Sequence, residues 1–423
     1  GSMTEAGYPR IVKEWKRGTP LAQARVVYEG KAEDVAAFGY RDHTKGYERD
    51  FVNRAVTFYT DELYLRRDGK LVRIDKPDDA NASAFRDLLL LQLRSDWTIG
   101  GRTHAAGSLL AADFEGYLAG KREFEVLFEP TERSTLSDFT PTLNHVILNV
   151  LDNVRNRLYV LTRVDGKWQR EPLPGMPEFG TVSVDAVDDE ENDDYFLTLT
   201  DYVTPTSLLL GTVGKGAPEK LKQLPAFFDA DGLVVTQHDA TSKDGTRIPY
   251  FQVARKDLAL DGSNPTLLYG YGGFEVSMVP GYSGSVGSAW LEKGGVYVVA
   301  NLRGGGEFGP KWHQAALKAN RHKAYEDFAA VARDLVARKV TSPRHLGVQG
   351  GSNGGLLTGN MLVQYPELFG AVVSQVPLLD MRRYNKLLAG ASWMGEYGDP
   401  DVAEEWAFIA KYSPYHNVGK DQA

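Results

Sequence analysis

The sequence predicts a chain in two parts, an all-β first half followed by an α/β second half with a mostly parallel sheet. Three observations carry this. Before about Pro225 the pattern is one of short strands and hairpin turns with few long helical stretches. After about Asp231, buried strands alternate with helical periodicity. Within that second half, Gly350-Gly351-Ser352-Asn353-Gly354-Gly355 sets a serine in a turn packed with glycine, between an expected strand and an expected helix.

Taken in order, Leu63 to Arg67, the turn Asp68-Gly69-Lys70 and Leu71 to Ile74 read as a hairpin. Leu158 to Val164 runs into Asp165-Gly166-Lys167 in the same way, and Tyr195 to Thr200 and Ser207 to Leu210 read as further strands. Repeated hairpins of this kind fit a sandwich, a barrel or a propeller. No crisp repeat selects among them. The acidic run Asp188 to Asp194 reads as a solvated loop.

In the second half, Pro265 to Tyr269, Val296 to Ala300 and Ala371 to Ser374 read as fully buried strands. Ala324, Phe328, Val331 and Leu335 recur at helical spacing and give one apolar face. The boundary is expected between Pro225 and Asp239, which divides the chain into residues 4–230 and 231–423.

Ser352 is the most informative residue. His345 to Gln349 reads as a short buried strand, and Leu356 to Leu362 as a helix ending near Pro366. A serine at such a junction matches the G-x-S-x-G nucleophile elbow of the α/β-hydrolase fold. The sharp turn lifts the hydroxyl clear of the sheet, and the glycines let the flanking backbones approach. The Asn353 N–H then points to where an oxyanion would form, at the positive end of the helix.

Composition bounds the function. The 423 residues are 42% hydrophobic, enough for two sizeable cores. A net charge of −8 gives no support for nucleic-acid binding. There is no cysteine, so disulfides and thiolate metal sites are excluded. No apolar run has transmembrane length, and no membrane partner is expected. The histidines show no tight H-x-x-x-H pairing, and neither a metal nor a cofactor is expected. Gly304-Gly305-Gly306 lacks the Lys-Ser/Thr of a phosphate loop and fits a close backbone approach beside the serine.

Four segments occur together in one order: Tyr269 to Phe274, Asn301 to Gly309, Gly350 to Gly355 and Tyr412 to Val418. Together they resemble the prolyl oligopeptidase family of serine peptidases, most clearly over Ser242 to Val418. The first half resembles the later blades of that family's β-propeller. The resemblance implies Ser352 as nucleophile, with the Asn353 N–H and the Tyr271 phenol as oxyanion donors. It implies Phe274, Trp393 and Tyr397 as lining of the pocket for the residue before the cut, with Leu378 as a weaker wall position. Without it, Tyr271 reads as a core aromatic, and Phe274 and Trp393 as ordinary packing. An aromatic face suits a proline ring, and cleavage after proline is the implied activity. Glu396 and Asp399 lie near in sequence and keep a basic preference open.

A hydroxyl nucleophile needs a base, and the base needs an orienting acid. Only His416 follows Ser352, with Asp380, Asp399 and Asp401 between them. His416 falls in a segment that the resemblance places upstream of the catalytic acid, so it is not taken as the base. From Tyr8 to Pro225 there is room for about five blades at about 40–45 residues each. The chain is therefore expected to be an internal portion of a longer enzyme, inactive alone because the catalytic Asp and His are not in it. The partners expected are short proline-containing peptides and the remainder of the same enzyme. Gly1-Ser2-Met3 resembles a cloning scar, and a cytoplasmic location is expected, with periplasmic or secreted placement left open. The rival readings are a non-catalytic propeller binding protein, and a related serine peptidase with basic, broad, dipeptidyl or acylaminoacyl specificity.

Overall fold

Two-residue turns shape the first half. Asp68 and Gly69 have φ of 50° and 72°, and Asp165 and Gly166 have φ of 48° and 75°. These left-handed pairs match the twist of the strands they join, as Asp-Gly hairpins do. Arg67 accordingly pairs with Lys70, and Val164 with Lys167. A computed structural model describes residues 1–175 and 180–420.

Among the described residues, the first half forms four antiparallel four-stranded sheets and a two-stranded ribbon of Ile11–Glu14 and Arg25–Glu29. In three of the four sheets the strands follow one another in simple chain order. The other inserts a short hairpin, Trp97–Ile99 and Arg102–His104, before its third strand. Apolar side chains pack between successive sheets. Leu88, Leu90 and Leu109 of one meet Val146, Leu148 and Leu161 of the next. This sheet-against-sheet repetition is propeller packing. The acidic run forms a turn in which Asp193 accepts hydrogen bonds from Thr142 and Asn144.

The last four-stranded sheet ends at Gln223, and a six-stranded mixed sheet begins at Leu233. Its order is Leu233–Thr241, Arg247–Arg255, Val296–Ala300, Thr266–Tyr269, Leu346–Gly351 and Ala371–Gln375. The first two strands are antiparallel, and the last four run parallel to one another. The helix His322–Ala337 buries Ala324, Phe328, Val331 and Leu335 against this sheet, as the spacing requires. Truncating Phe328 to alanine in such a core costs about 3–5 kcal/mol.

One expectation is corrected here. Ala371–Gln375 is a strand but not a buried one. It forms an edge of the sheet, and Val373 is 44% exposed. Its apolar composition reads the same whether or not a neighbour covers it. Among the described residues, no helix is long and apolar enough to cross a membrane.

Candidate active site

Parallel strands end on the same side of a sheet, and that is where ligands bind in open α/β folds. Leu346–Gly351 delivers Ser352 to this edge, and its parallel neighbour Thr266–Tyr269 delivers Tyr271. Ser352 has φ 58° and ψ −117° and directly precedes the helix Asn353–Gln364. A side chain rarely occupies such a conformation, which costs on the order of 1–3 kcal/mol and persists only where its surroundings enforce it. Here the Ser352 N–H donates to the Gln375 carbonyl at 3.0 Å, and the Ser352 carbonyl accepts from Gly355 and Leu356.

The glycines are required by close approach. A Cβ on Gly350 would lie 2.2 Å from the Gly354 carbonyl oxygen, and one on Gly354 would lie 2.7 Å from that of Gly270. The result is an exposed Ser352 side chain backed by an Asn353 that is 1% exposed. At the first helical position, the Asn353 N–H has no intrahelical carbonyl to pair with.

The Tyr271 phenol faces Ser352. Burial raises its pKa, and the interaction with Ser352 works against that rise. The Asn353 side chain fixes the arrangement. Its Nδ2 donates to the Tyr271 carbonyl at 2.7 Å, and its Oδ1 accepts from the Tyr397 hydroxyl at 2.7 Å and from Arg321. Arg321 also donates to the Gly272 carbonyl at 2.9 Å and to Glu396 at 2.5 Å.

Glu396 is fully buried yet ionised. Burial pushes its carboxyl up, but Arg321 and the hydrogen bonds from His313 and Tyr59 more than offset this and hold its pKa at about 2. It accepts from the Phe274 N–H at 3.0 Å, from His313 Nε2 at 2.7 Å and from the Tyr59 hydroxyl. Arg94 offers only donors, so His313 Nδ1, 2.9 Å from it, accepts, and Nε2 carries the proton donated to Glu396.

The glycine-rich loop packs beside this centre. A Cβ on Gly304 would lie 2.5 Å from the Gly272 carbonyl oxygen, and one on Gly306 would lie 2.2 Å from that of Glu275. Arg303 anchors the loop through a bidentate bond to the buried Asp327, at 2.6 and 2.9 Å. Glu307, also buried, accepts from the Met278 N–H at 2.9 Å.

Of the residues singled out in the sequence, the structure joins Ser352, Asn353, Tyr271, Phe274 and Tyr397 in one contact chain. Phe274 and Tyr397 meet edge to face at 5.6 Å. Trp393 is half-buried and immediately precedes the helix Met394–Tyr397. Leu378 is half-buried against the same core cluster. Glu396 is held by its own partners, and Asp399 accepts from the Asp401 N–H. His416 is exposed, bonded to Ser413 at 2.8 Å and packed edge-on against Trp406. No histidine among the described residues hydrogen-bonds Ser352. Arg321, His313, Tyr59 and Arg94 carry no signal in the sequence that marks them for this site. Each stands outside any local motif, and only the fold brings them together.

Residues 282–423 match the family model described as the prolyl oligopeptidase family. The chain is 45% identical over 428 residues to an uncharacterized peptidase of Sinorhizobium fredii, covering 99% of this chain and 59% of that protein. It is 39% identical over 244 residues to a prolyl endopeptidase of Elizabethkingia meningoseptica, covering 57% of this chain and 34% of that one. Among solved structures, a post-proline cleaving enzyme from Rickettsia typhi superposes with a TM-score of 0.91 at 35% identity. That match covers 99% of this chain and 62% of the other, so the chain spans about three-fifths of the length of such relatives. With a propeller portion leading into a hydrolase sheet and an elbow serine at the end of a parallel strand, the chain belongs to the prolyl oligopeptidase family.

Proposed function

We propose that this polypeptide is the larger part of a serine peptidase that cuts short peptides on the carboxyl side of proline. The observation that carries the reading is Ser352 held at φ 58° at the strand-to-helix junction, with the Tyr271 phenol beside it and Asn353, the next residue, bonded to the Tyr271 carbonyl. In the proposed reaction, Ser352 Oγ attacks the prolyl carbonyl carbon and passes its proton to a base. The tetrahedral oxyanion takes hydrogen bonds from the Asn353 N–H and the Tyr271 hydroxyl. The C–N bond then breaks, and the amine product leaves with a proton from the protonated base. Water hydrolyses the remaining ester and frees Ser352. No cofactor enters any step.

Proline preference is supported by the pocket chemistry. Phe274 and Trp393 are partly exposed and offer aromatic surface, which suits a compact ring, whereas Tyr397 is fully buried and backs Phe274 edge to face rather than lining the pocket itself. Glu396 is already saturated by Arg321, His313, Tyr59 and the Phe274 N–H, so it is not free to pair a cationic side chain. Two of the relatives described above are named for cleavage at proline. The propeller portion is proposed to limit entry to short, unfolded peptides.

We further propose that residues 1–423 alone do not turn over substrate, because no histidine described in the structure reaches Ser352 by a hydrogen bond. The test uses the full-length polypeptide and a pair of chromogenic peptides differing only in Pro or Ala before the cut. Loss of an aromatic face is worth about 1 kcal/mol, so Trp393→Ala should lower the Pro/Ala ratio of kcat/KM by about fivefold. An unchanged ratio would remove Trp393 from the pocket, and a parent enzyme preferring Lys or Arg would overturn the proline reading.

A further inference from the structure

Glu396 draws its hydrogen-bond donors from both halves of the molecule. Arg321, His313 and the Phe274 N–H belong to the hydrolase half. The Tyr59 hydroxyl belongs to the propeller portion and reaches Glu396 from 337 residues away in the chain. Tyr59 lies in the turn between the propeller strands Arg49–Ala55 and Asp61–Arg67. This turn projects into the hydrolase half. The Tyr59 ring packs on His313 at 5.0 Å, and the guanidinium of Arg94, just past the strand Leu88–Gln92 of the next propeller sheet, lies over the same ring at 4.2 Å from its centre. Arg94 in turn binds Glu275 at 2.6 Å and His313 at 2.9 Å. The adjacent Phe58 meets the Phe274 ring edge-on at 5.1 Å.

The hydrolase groups held by this turn are the ones that shape the proposed pocket. Phe274 sits at φ 54°, a costly conformation for a bulky residue. It is held by its N–H bond to Glu396 and by ring contacts with Phe58 and Tyr397. Glu396 also holds Arg321, which binds Asn353 and the Gly272 carbonyl. Withdrawing the turn strips one donor from a buried carboxylate and one ring from Phe274. Both losses favour relaxation of the pocket wall.

We infer that the propeller turn at residues 56–60 is a positioning element for the substrate pocket: Phe58 and Tyr59 hold Phe274 and Glu396 in place only while the propeller is seated on the hydrolase half. Pocket formation is thereby coupled to contact between the two parts. The name of the pocket rests on the function proposed above; the coupling is a property of the fold and is read without turnover.

The test is hydrogen–deuterium exchange on residues 1–423 with Tyr59→Phe, which removes one hydroxyl and keeps the ring. Amides in 271–277 and 393–398 should exchange about tenfold faster or more. Exchange in Val296–Ala300 and in the sheet Ser134–Pro172 should stay at the parent rate. The control Tyr64→Phe removes a propeller hydroxyl bound to Glu62 and should leave both pocket segments unchanged. Phe58→Leu, a milder change at the neighbouring contact, should speed exchange at 271–277. Parent-like exchange in those segments for folded Tyr59→Phe and Phe58→Leu would overturn the inference. So would a uniform rise across the molecule, which would mark a general stability effect. An inert Ser352 would leave the exchange result standing, and so would a wrong substrate assignment.

Discussion

The side chain of Asn353 donates to the backbone carbonyl of Tyr271 at 2.7 Å, tying the residue after Ser352 to the residue whose phenol lies beside that serine. The two proposed oxyanion donors thus belong to one buried network and do not depend on substrate to bring them together. Arg321, Tyr397 and Glu396 extend that network into the pocket wall.

Asn353→Ala should destabilise the fold. It strips the Tyr397 hydroxyl of its acceptor and the Tyr271 carbonyl of a donor, and buried groups left unpaired cost about 1–3 kcal/mol each. A loss on the order of 3 kcal/mol should appear as a lower urea midpoint for residues 1–423. A shift below about 0.5 kcal/mol, within the range of ordinary surface changes, would show that the network is not under such constraint.

Ser352→Gly should stabilise it. Glycine enters the φ 58° conformation without the penalty that a Cβ imposes there. The gain is expected on the order of 1 kcal/mol, read from urea midpoints against Ser352→Ala, which keeps the Cβ. A glycine variant less stable than the alanine variant would contradict the strain assigned to the elbow.

Glu307 should make stability pH-dependent. Burial raises its pKa from 4.5 to about 7. Between those values the native state keeps a proton that the unfolded state has lost, so stability falls as pH rises through this window. The full effect is on the order of 3 kcal/mol. Glu307→Gln should remove it, flattening the profile between pH 4.5 and 7 and leaving the variant the more stable at pH 8. Parallel profiles for parent and variant would show that Glu307 ionises normally.

The elbow was legible in the sequence because its chemistry is local: strand, glycine-packed turn and helix occupy one short stretch. The Asp-Gly hairpins and the Ala324 to Leu335 helix were legible for the same reason, since turn geometry and periodicity act over a few residues. The exposure of Ala371–Gln375 was not, because burial of a strand depends on its neighbours rather than on its own composition. The network about Glu396 was not legible either. Tyr59, Arg94, His313 and Arg321 reach it through contacts between distant segments, and none carries a motif of its own. By position in the sequence Glu396 is a candidate partner for a basic substrate, but both its oxygens are occupied by donors that no spacing rule connects to it.

The most direct test of the central claim is turnover of a Gly-Pro anilide by the full-length polypeptide and its Ser352→Ala variant, with folding checked by circular dichroism. Removing a serine nucleophile should lower kcat by about 10⁴-fold or more, leaving a folded protein with only a faint rate above background. Retention of turnover near the parent rate in the Ser352→Ala variant would contradict the account.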